Sequence, residues 1–286
     1  MNLKASELIL NPDGSIYHLN LLPEDIGDTI ILVGDPGRVK RVSDRFDSCE
    51  IKKQKREFVT HTGFVGKKRV SVISTGIGTD NIDIVINELD ALANIDFDTR
   101  TNRKQLRQLD LIRIGTSGSL QKDIGVDEFL LSQFGLGFDN LLHFYKSEKV
   151  RDLNLESAVK EQLKLPSCLE PYAVEGDRDL RDQFASSETH IGCTATNCGF
   201  YGPQGRKLRL DSSVSDLPDL MSRFEASGLR ITNMEMETAG IYGMSAMLNH
   251  RALSANVILA NRPLGTFSEK PGNAVDRLIT YILSRL

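Results

Sequence analysis

The chain has 286 residues, 40% hydrophobic and 26% charged, with a formal net charge of −4; that is the make-up of a globular protein able to bury a large core, here expected as one domain over 1–286. The charge leaves no basic footprint for nucleic acid, no apolar run approaches a membrane span, and the first ten residues lack a secretory pattern, so a cytoplasmic setting is expected. Cys49, Cys168, Cys193 and Cys198 are scattered without partners at zinc spacing, which reads as reduced thiols and no metal site.

Residues 1–20 are mixed, with Ile16-Tyr17-His18-Leu19 just ahead of the first core segment. A lone histidine there has a bland reading as a surface or satisfied core residue. Thr29–Val33 reads as a buried strand that runs into Gly34-Asp35-Pro36-Gly37-Arg38-Val39 and then an amphipathic helix as far as Phe46. A helix N-terminus after such a turn favours an anion. The pattern is neither a P-loop nor the dinucleotide Gly-x-Gly-x-x-Gly signature. Phe58–Phe64 and Arg69–Ser74 read as a hairpin turning at Gly66-Lys67-Lys68, with the charged pair Arg56-Glu57 at a solvated strand start. Thr75-Gly76-Ile77-Gly78-Thr79 opens a helix in which Ile82, Val85, Ile86, Leu89, Leu92 and Ala93 fall at helical spacing. Asp96–Asp110 is polar, with Arg100, Arg103, Lys104 and Arg107 read as solvated surface on a loop or short helix.

Leu111–Ile114 reads as the end of a buried strand, breaking into a turn at Gly115-Thr116-Ser117-Gly118 whose N–H groups can converge on one point. Arg113 is out of place in an apolar strand unless it meets an anion. Glu128–Ser132 reads as a short strand, Phe134–Phe144 as a loop, Leu153–Leu163 as a helix and Thr189–Thr196 as a strand. The loop Asn197–Arg206 then offers Phe200, Gln204 and Arg206, a flat face with planar hydrogen-bonding groups suited to a heterocycle. Asp216–Ala226 reads as an amphipathic helix, and Glu235-Met236-Glu237 stands before a buried helix over Thr238–Asn249. Acids at a helix start suit the helix dipole, but if buried they need partners. A strand over Ala252–Ala260 and a C-terminal helix complete an α/β chain with its ligands expected at strand ends.

Six stretches in this order resemble the nucleoside phosphorylase family, and within it the uridine phosphorylases: Gly34–Arg38, Arg56-Glu57-Phe58, Ser74–Gly78, Arg113–Thr116, Phe200–Arg206 and Glu235-Met236-Glu237. The resemblance implies a three-layer α/β/α fold with a mixed central sheet and phosphorolysis of uridine to uracil and ribose 1-phosphate, as in pyrimidine salvage. It implies a phosphate site of Gly34, Arg38, Arg56, Arg113 and Thr116, and ribose contacts from His18, Thr116, Met236 and Glu237. Phe200, Gln204 and Arg206 resemble the base readers, so Arg113, Glu237 and Arg206 are the expected catalytic groups. His18 and Arg56 resemble residues donated by a neighbouring protomer, which implies at least a homodimer, with a hexamer as trimer of dimers as the larger alternative. Inorganic phosphate is then a co-substrate and no cofactor is expected. Some relatives hold a monovalent cation between protomers; Glu57 and Ile77 match that site, but Asn81 stands where they have serine, so the ion is not claimed. Purine members carry an acid after the late strand, whereas this chain has Ala260-Asn261-Arg262. The rival readings are a nucleosidase, a purine nucleoside phosphorylase and a non-catalytic nucleoside sensor.

Overall fold

In β1 (Thr29–Val33) every residue is buried, and alternate side chains enter two different cores. A computed structural model describes residues 2–214 and 216–286. After β1 come α1 (Pro36–Ser43), β2 (Ser48–Lys55), β3 (Phe58–Val65), β4 (Lys68–Ser74) and α2 (Thr79–Asn94). The short β5 (Ile95–Asp96) and β6 (Thr101–Asn102) precede β7 (Asp110–Ser119), β8 (Phe129–Gly137), α3 (Leu153–Gln162) and β9 (Tyr172–Glu175). Then follow α4 (Arg178–Phe184), β10 (Thr189–Thr196), α5 (Leu217–Arg223), β11 (Glu225–Ala226) and β12 (Leu229–Glu235). The chain closes with α6 (Thr238–Met247), β13 (Arg251–Asn261), β14 (Thr266–Phe267) and α7 (Pro271–Leu283).

The main sheet runs β11-β12-β10-β8-β13-β7-β1-β4-β3-β2, with β9 on β8 and β14 on β13. It is mixed: β1 is parallel to β4 and β7, β13 is parallel to β7, but β8–β13 and the β2–β3–β4 meander are antiparallel. β12 also pairs with β7 at Asn233↔Ser119, so β7, β13, β8, β10 and β12 close on themselves. On one face Ile30, Leu32 and Leu111 pack with α2 and α6 through Ile82, Ile86, Leu89 and Ile241. On the other, Ile31, Val33, Ile112 and Ile114 pack with α1 and α7 through Val39, Val42, Leu278 and Ile282. Each such side chain, fully buried, contributes roughly 1.5–3 kcal/mol. Helices therefore cover both faces, the layered mixed α/β architecture expected.

Several local readings need correction: the helix read over Asp216–Ala226 spans only Leu217–Arg223 and gives way to β11 at Glu225–Ala226. β7 does not turn at Gly115 but stays extended to Ser119, paired with β13 through Asn256↔Gly115 and Val257↔Thr116. Phe134–Gly137, read as loop, belongs to β8. In Asp96–Asp110 the basic residues are not all solvated: Arg100 donates to the Leu8 carbonyl at 2.7 Å and Arg107 to Asp28 Oδ1 at 2.5 Å. Arg103 and Lys104 are exposed, as read.

Candidate active site

β7 brings a guanidinium into the layer beneath α6, because Arg113 shares the face of Leu111 rather than that of Ile112 and Ile114. Its side chain is 7% exposed and faces Glu235 and Glu237, also buried. Nη2 donates to Glu237 Oε2 at 2.5 Å and lies 3.1 Å from Glu235 Oε2, while Nη1 donates to Asn256 Oδ1 at 2.7 Å. Asn256 in turn donates to Ser254 Oγ, which meets Thr238 Oγ1 at 2.8 Å. Gly115 makes this arrangement possible: a Cβ there would stand 1.7 Å from Arg113 Nη1. The glycine serves a side chain, not a turn. Burial disfavours the Arg113 charge, but Glu235 and Glu237 outweigh it and raise its pKa.

The two acids divide the work. Glu235 ends β12 and accepts from the N–H groups of Glu237 and Thr238 and from Thr196 Oγ1, capping the N-terminus of α6. Burial pushes its carboxyl up, against the opposing pull of Arg113. Glu237 accepts from Arg113 and, at 2.9 Å, from the Gly78 N–H at the start of α2. Gly78 has φ +97° and a Cβ there would meet Asp80 Oδ1 at 2.8 Å, so a side chain would disturb that donor.

These groups open onto a cavity of about 690 Å³ at the ends of β1, β4, β7, β12 and β13. Gly34, Arg38, Arg113 and Thr116 line it, with Met236 and Glu237 beside them. Arg38 donates to the Ile114 carbonyl at 3.0 Å, and its buried Nε has no protein partner. Burial, then the Arg113 charge, push Arg38 down to about 10, which leaves it cationic at neutral pH. The anion-favouring start of α1 is partly satisfied internally, since the Asp35 carboxylate accepts from Gly37 N at 2.8 Å.

The same cavity is lined by Phe200, Gln204 and Arg206. The Arg206 guanidinium lies 3.8 Å from the Phe200 ring centroid, and Nη1 donates to Gln204 Oε1 and to the Phe200 carbonyl. Burial, then the charge of Arg262, lower the Arg206 pKa. Arg262 donates to the Gln204 carbonyl at 2.5 Å and so braces this loop from behind. Met234, Leu259, Ala260 and Phe267 give the wall its apolar surface.

Every expected site residue except His18 and Arg56 lines this one cavity. Those two sit together elsewhere on the surface: Tyr17 touches the His18 ring edge-on and lies 6.0 Å from the Arg56 guanidinium. At the expected cation position, Asn81 Nδ2 donates to Glu57 Oε1 at 3.4 Å. Sequence reading missed Asn256, Gly78 and Arg262 as site-builders, whereas its two readings of Glu235, an acid suited to a helix start and one that needs partners if buried, both hold. The available signal for Asn256 was the same as for Arg113: a polar side chain in an apolar strand.

The phosphorylase superfamily model matches residues 28–279. The uridine phosphorylase of Thermococcus kodakarensis is 27% identical over 257 residues, 90% of this chain and 81% of that protein. A purine nucleoside phosphorylase of a Thermoanaerobacter species is also 27% identical, over 83% of this chain and 84% of its own. The crystal structure of a Trypanosoma brucei nucleoside phosphorylase, described as showing uridine phosphorylase activity, superposes with a TM-score of 0.86 at 28% identity, covering 98% of this chain and 99% of that one. The fold and site thus define a nucleoside phosphorylase-like protein. The chain belongs to the phosphorylase superfamily.

Proposed function

We propose that the protein catalyses phosphorolysis of a pyrimidine nucleoside, uridine plus phosphate giving uracil and ribose 1-phosphate. The observation that carries this is the sharing of one cavity by two arginines, a buried carboxylate and the Phe200–Gln204–Arg206 group. Relatives named uridine phosphorylase support the same reading. Phosphate held by Arg38 and Arg113 attacks C1′ as the glycosidic bond lengthens and the sugar becomes oxocarbenium-like. Phosphate and Glu237 stabilise that positive charge, and Arg206 and Gln204 stabilise the departing uracil anion. Electrostatic stabilisation of this kind needs no protein nucleophile and no cofactor. Water would need no arginine pair, which disfavours a hydrolase. A purine base would need a proton donor near Ala260, where Asn261 and Arg262 follow instead. Uracil release from uridine with and without inorganic phosphate tests the reading: equal rates in the two buffers would make the protein a hydrolase.

Arg206 donating to Gln204 Oε1 leaves the Gln204 Nε2 protons for a base acceptor. Uracil offers O2, N3–H and O4 to this set; cytosine replaces N3–H by a lone pair and O4 by an amino group. Each unmatched buried group costs roughly 1–3 kcal/mol, so cytidine should react about two decades more slowly than uridine. Arg206→Ala should lower kcat/KM on uridine by about one to two decades for the same reason. Paired rate measurements on uridine, cytidine and inosine check both; inosine faster than uridine would contradict the base assignment.

The site we propose is shared between protomers of a two-fold dimer, with His18 and Arg56 supplied to the neighbour. Their position outside their own cavity supports this. Among the described residues no helix is long and apolar enough to cross a membrane.

A further inference from the structure

His18 is held more tightly than a surface histidine requires. Glu88, on α2, has a side chain only 13% exposed and spends both oxygens on the His18-Leu19 turn. Oε1 accepts from His18 N at 3.0 Å and meets His18 Nδ1 at 2.6 Å, while Oε2 accepts from Leu19 N at 2.8 Å. Tyr17 packs edge-on against the ring at 4.8 Å and Phe58 at 6.5 Å. Lys55 on β2 pins the segment from its other side, donating to the Tyr17 carbonyl at 2.5 Å and to Asn11 Oδ1 at 2.8 Å.

An ionised carboxylate only accepts. In the neutral ring the proton must therefore reside on Nδ1, and the outward nitrogen, Nε2, is left with its lone pair. We propose that Glu88 is a positioning residue that fixes the His18 tautomer, so that Nε2 is offered as an acceptor to a hydroxyl donor. Resting on the function proposed above, that donor is the ribose 5′-hydroxyl of a nucleoside in the neighbouring protomer's cavity. His18 then selects nucleosides with a free 5′-hydroxyl, and Glu88 supplies the direction of that hydrogen bond.

Glu88→Gln is the informative change. The backbone N–H groups of His18 and Leu19 cannot invert, so the single amide oxygen must stay with them. The amide NH2 then faces Nδ1, forces it to accept, and moves the ring proton to Nε2. Two measurements read this. The first is ring-nitrogen NMR of the 15N-labelled protein at a pH where His18 is neutral: the wild type should show a protonated Nδ1 and a bare Nε2, and Glu88→Gln the reverse. The second is the ratio of kcat/KM for uridine to that for 5′-deoxyuridine. His18→Ala should lower that ratio roughly three- to tenfold, the worth of one hydrogen bond, and Glu88→Gln should lower it by less, because the 5′-hydroxyl can turn to accept from a protonated Nε2. A protonated Nε2 in the wild type overturns the proposal without any variant having to fold. So does a Glu88→Gln spectrum in which Nδ1 keeps its proton. A ratio unmoved by His18→Ala overturns the ribose role. Failure of the underlying function is distinct, since the wild type would then show no phosphate-dependent turnover of either nucleoside.

Discussion

Arg113→Ala should abolish useful turnover, with kcat/KM on uridine falling by about three decades. The guanidinium binds the attacking anion in the proposed reaction, and it is also what allows Glu235 and Glu237 to be buried side by side. Removing one partner of such a cluster costs roughly 3–5 kcal/mol, because the charges left behind are neither solvated nor paired. Arg113→Lys should fare little better, since one ammonium cannot span Asn256, Glu235 and Glu237. The stability defect has a sign with pH. The Glu235 carboxyl is already raised by burial, and without Arg113 it rises further. A raised folded-state pKa contributes stability at low pH that is lost as pH climbs through it. The melting-temperature gap between wild type and Arg113→Ala should therefore narrow between pH 7 and pH 5. Retention of activity within tenfold of wild type would remove Arg113 from the phosphate site.

Mixing Arg56→Ala chains with Glu237→Gln chains should restore about a quarter of wild-type activity, although each variant alone is nearly inactive. Glu237→Gln keeps an oxygen for Gly78 N–H but loses the charge facing the oxocarbenium-like sugar, worth about two decades. In a mixed dimer one site draws intact Glu237 from its own chain and intact Arg56 from the neighbour, and the other site loses both. Random exchange makes half the dimers mixed, and half of their sites are intact. Differently tagged chains would verify that exchange had occurred. A mixture that stays inactive after complete exchange would return Arg56 to the role of an exposed turn residue, with φ +54° and no substrate contact.

Much of this was legible in the residues, and the misreadings have physical causes. β1 matches its expected limits because a buried, branched run bounded by a polar residue and a glycine leaves little choice, and β10 matches its limits too although only its second half is buried. Arg113 was conspicuous because a guanidinium in an apolar strand demands a partner. Gly115 was misread as a turn because a glycine can serve backbone freedom or side-chain space, and only the fold shows Arg113 filling that space. β2 went unread because an edge strand with Lys52, Lys53 and Lys55 lacks an apolar alternation. The Glu88–His18 bond spans 70 positions, a separation at which local pattern carries no information.

Phosphorus NMR of wild-type enzyme with uridine and inorganic phosphate tests the central claim most directly. The account predicts that an α-ribose 1-phosphate resonance grows in step with uracil while inorganic phosphate declines equally. Free ribose appearing with uracil, while inorganic phosphate stays constant, would contradict it.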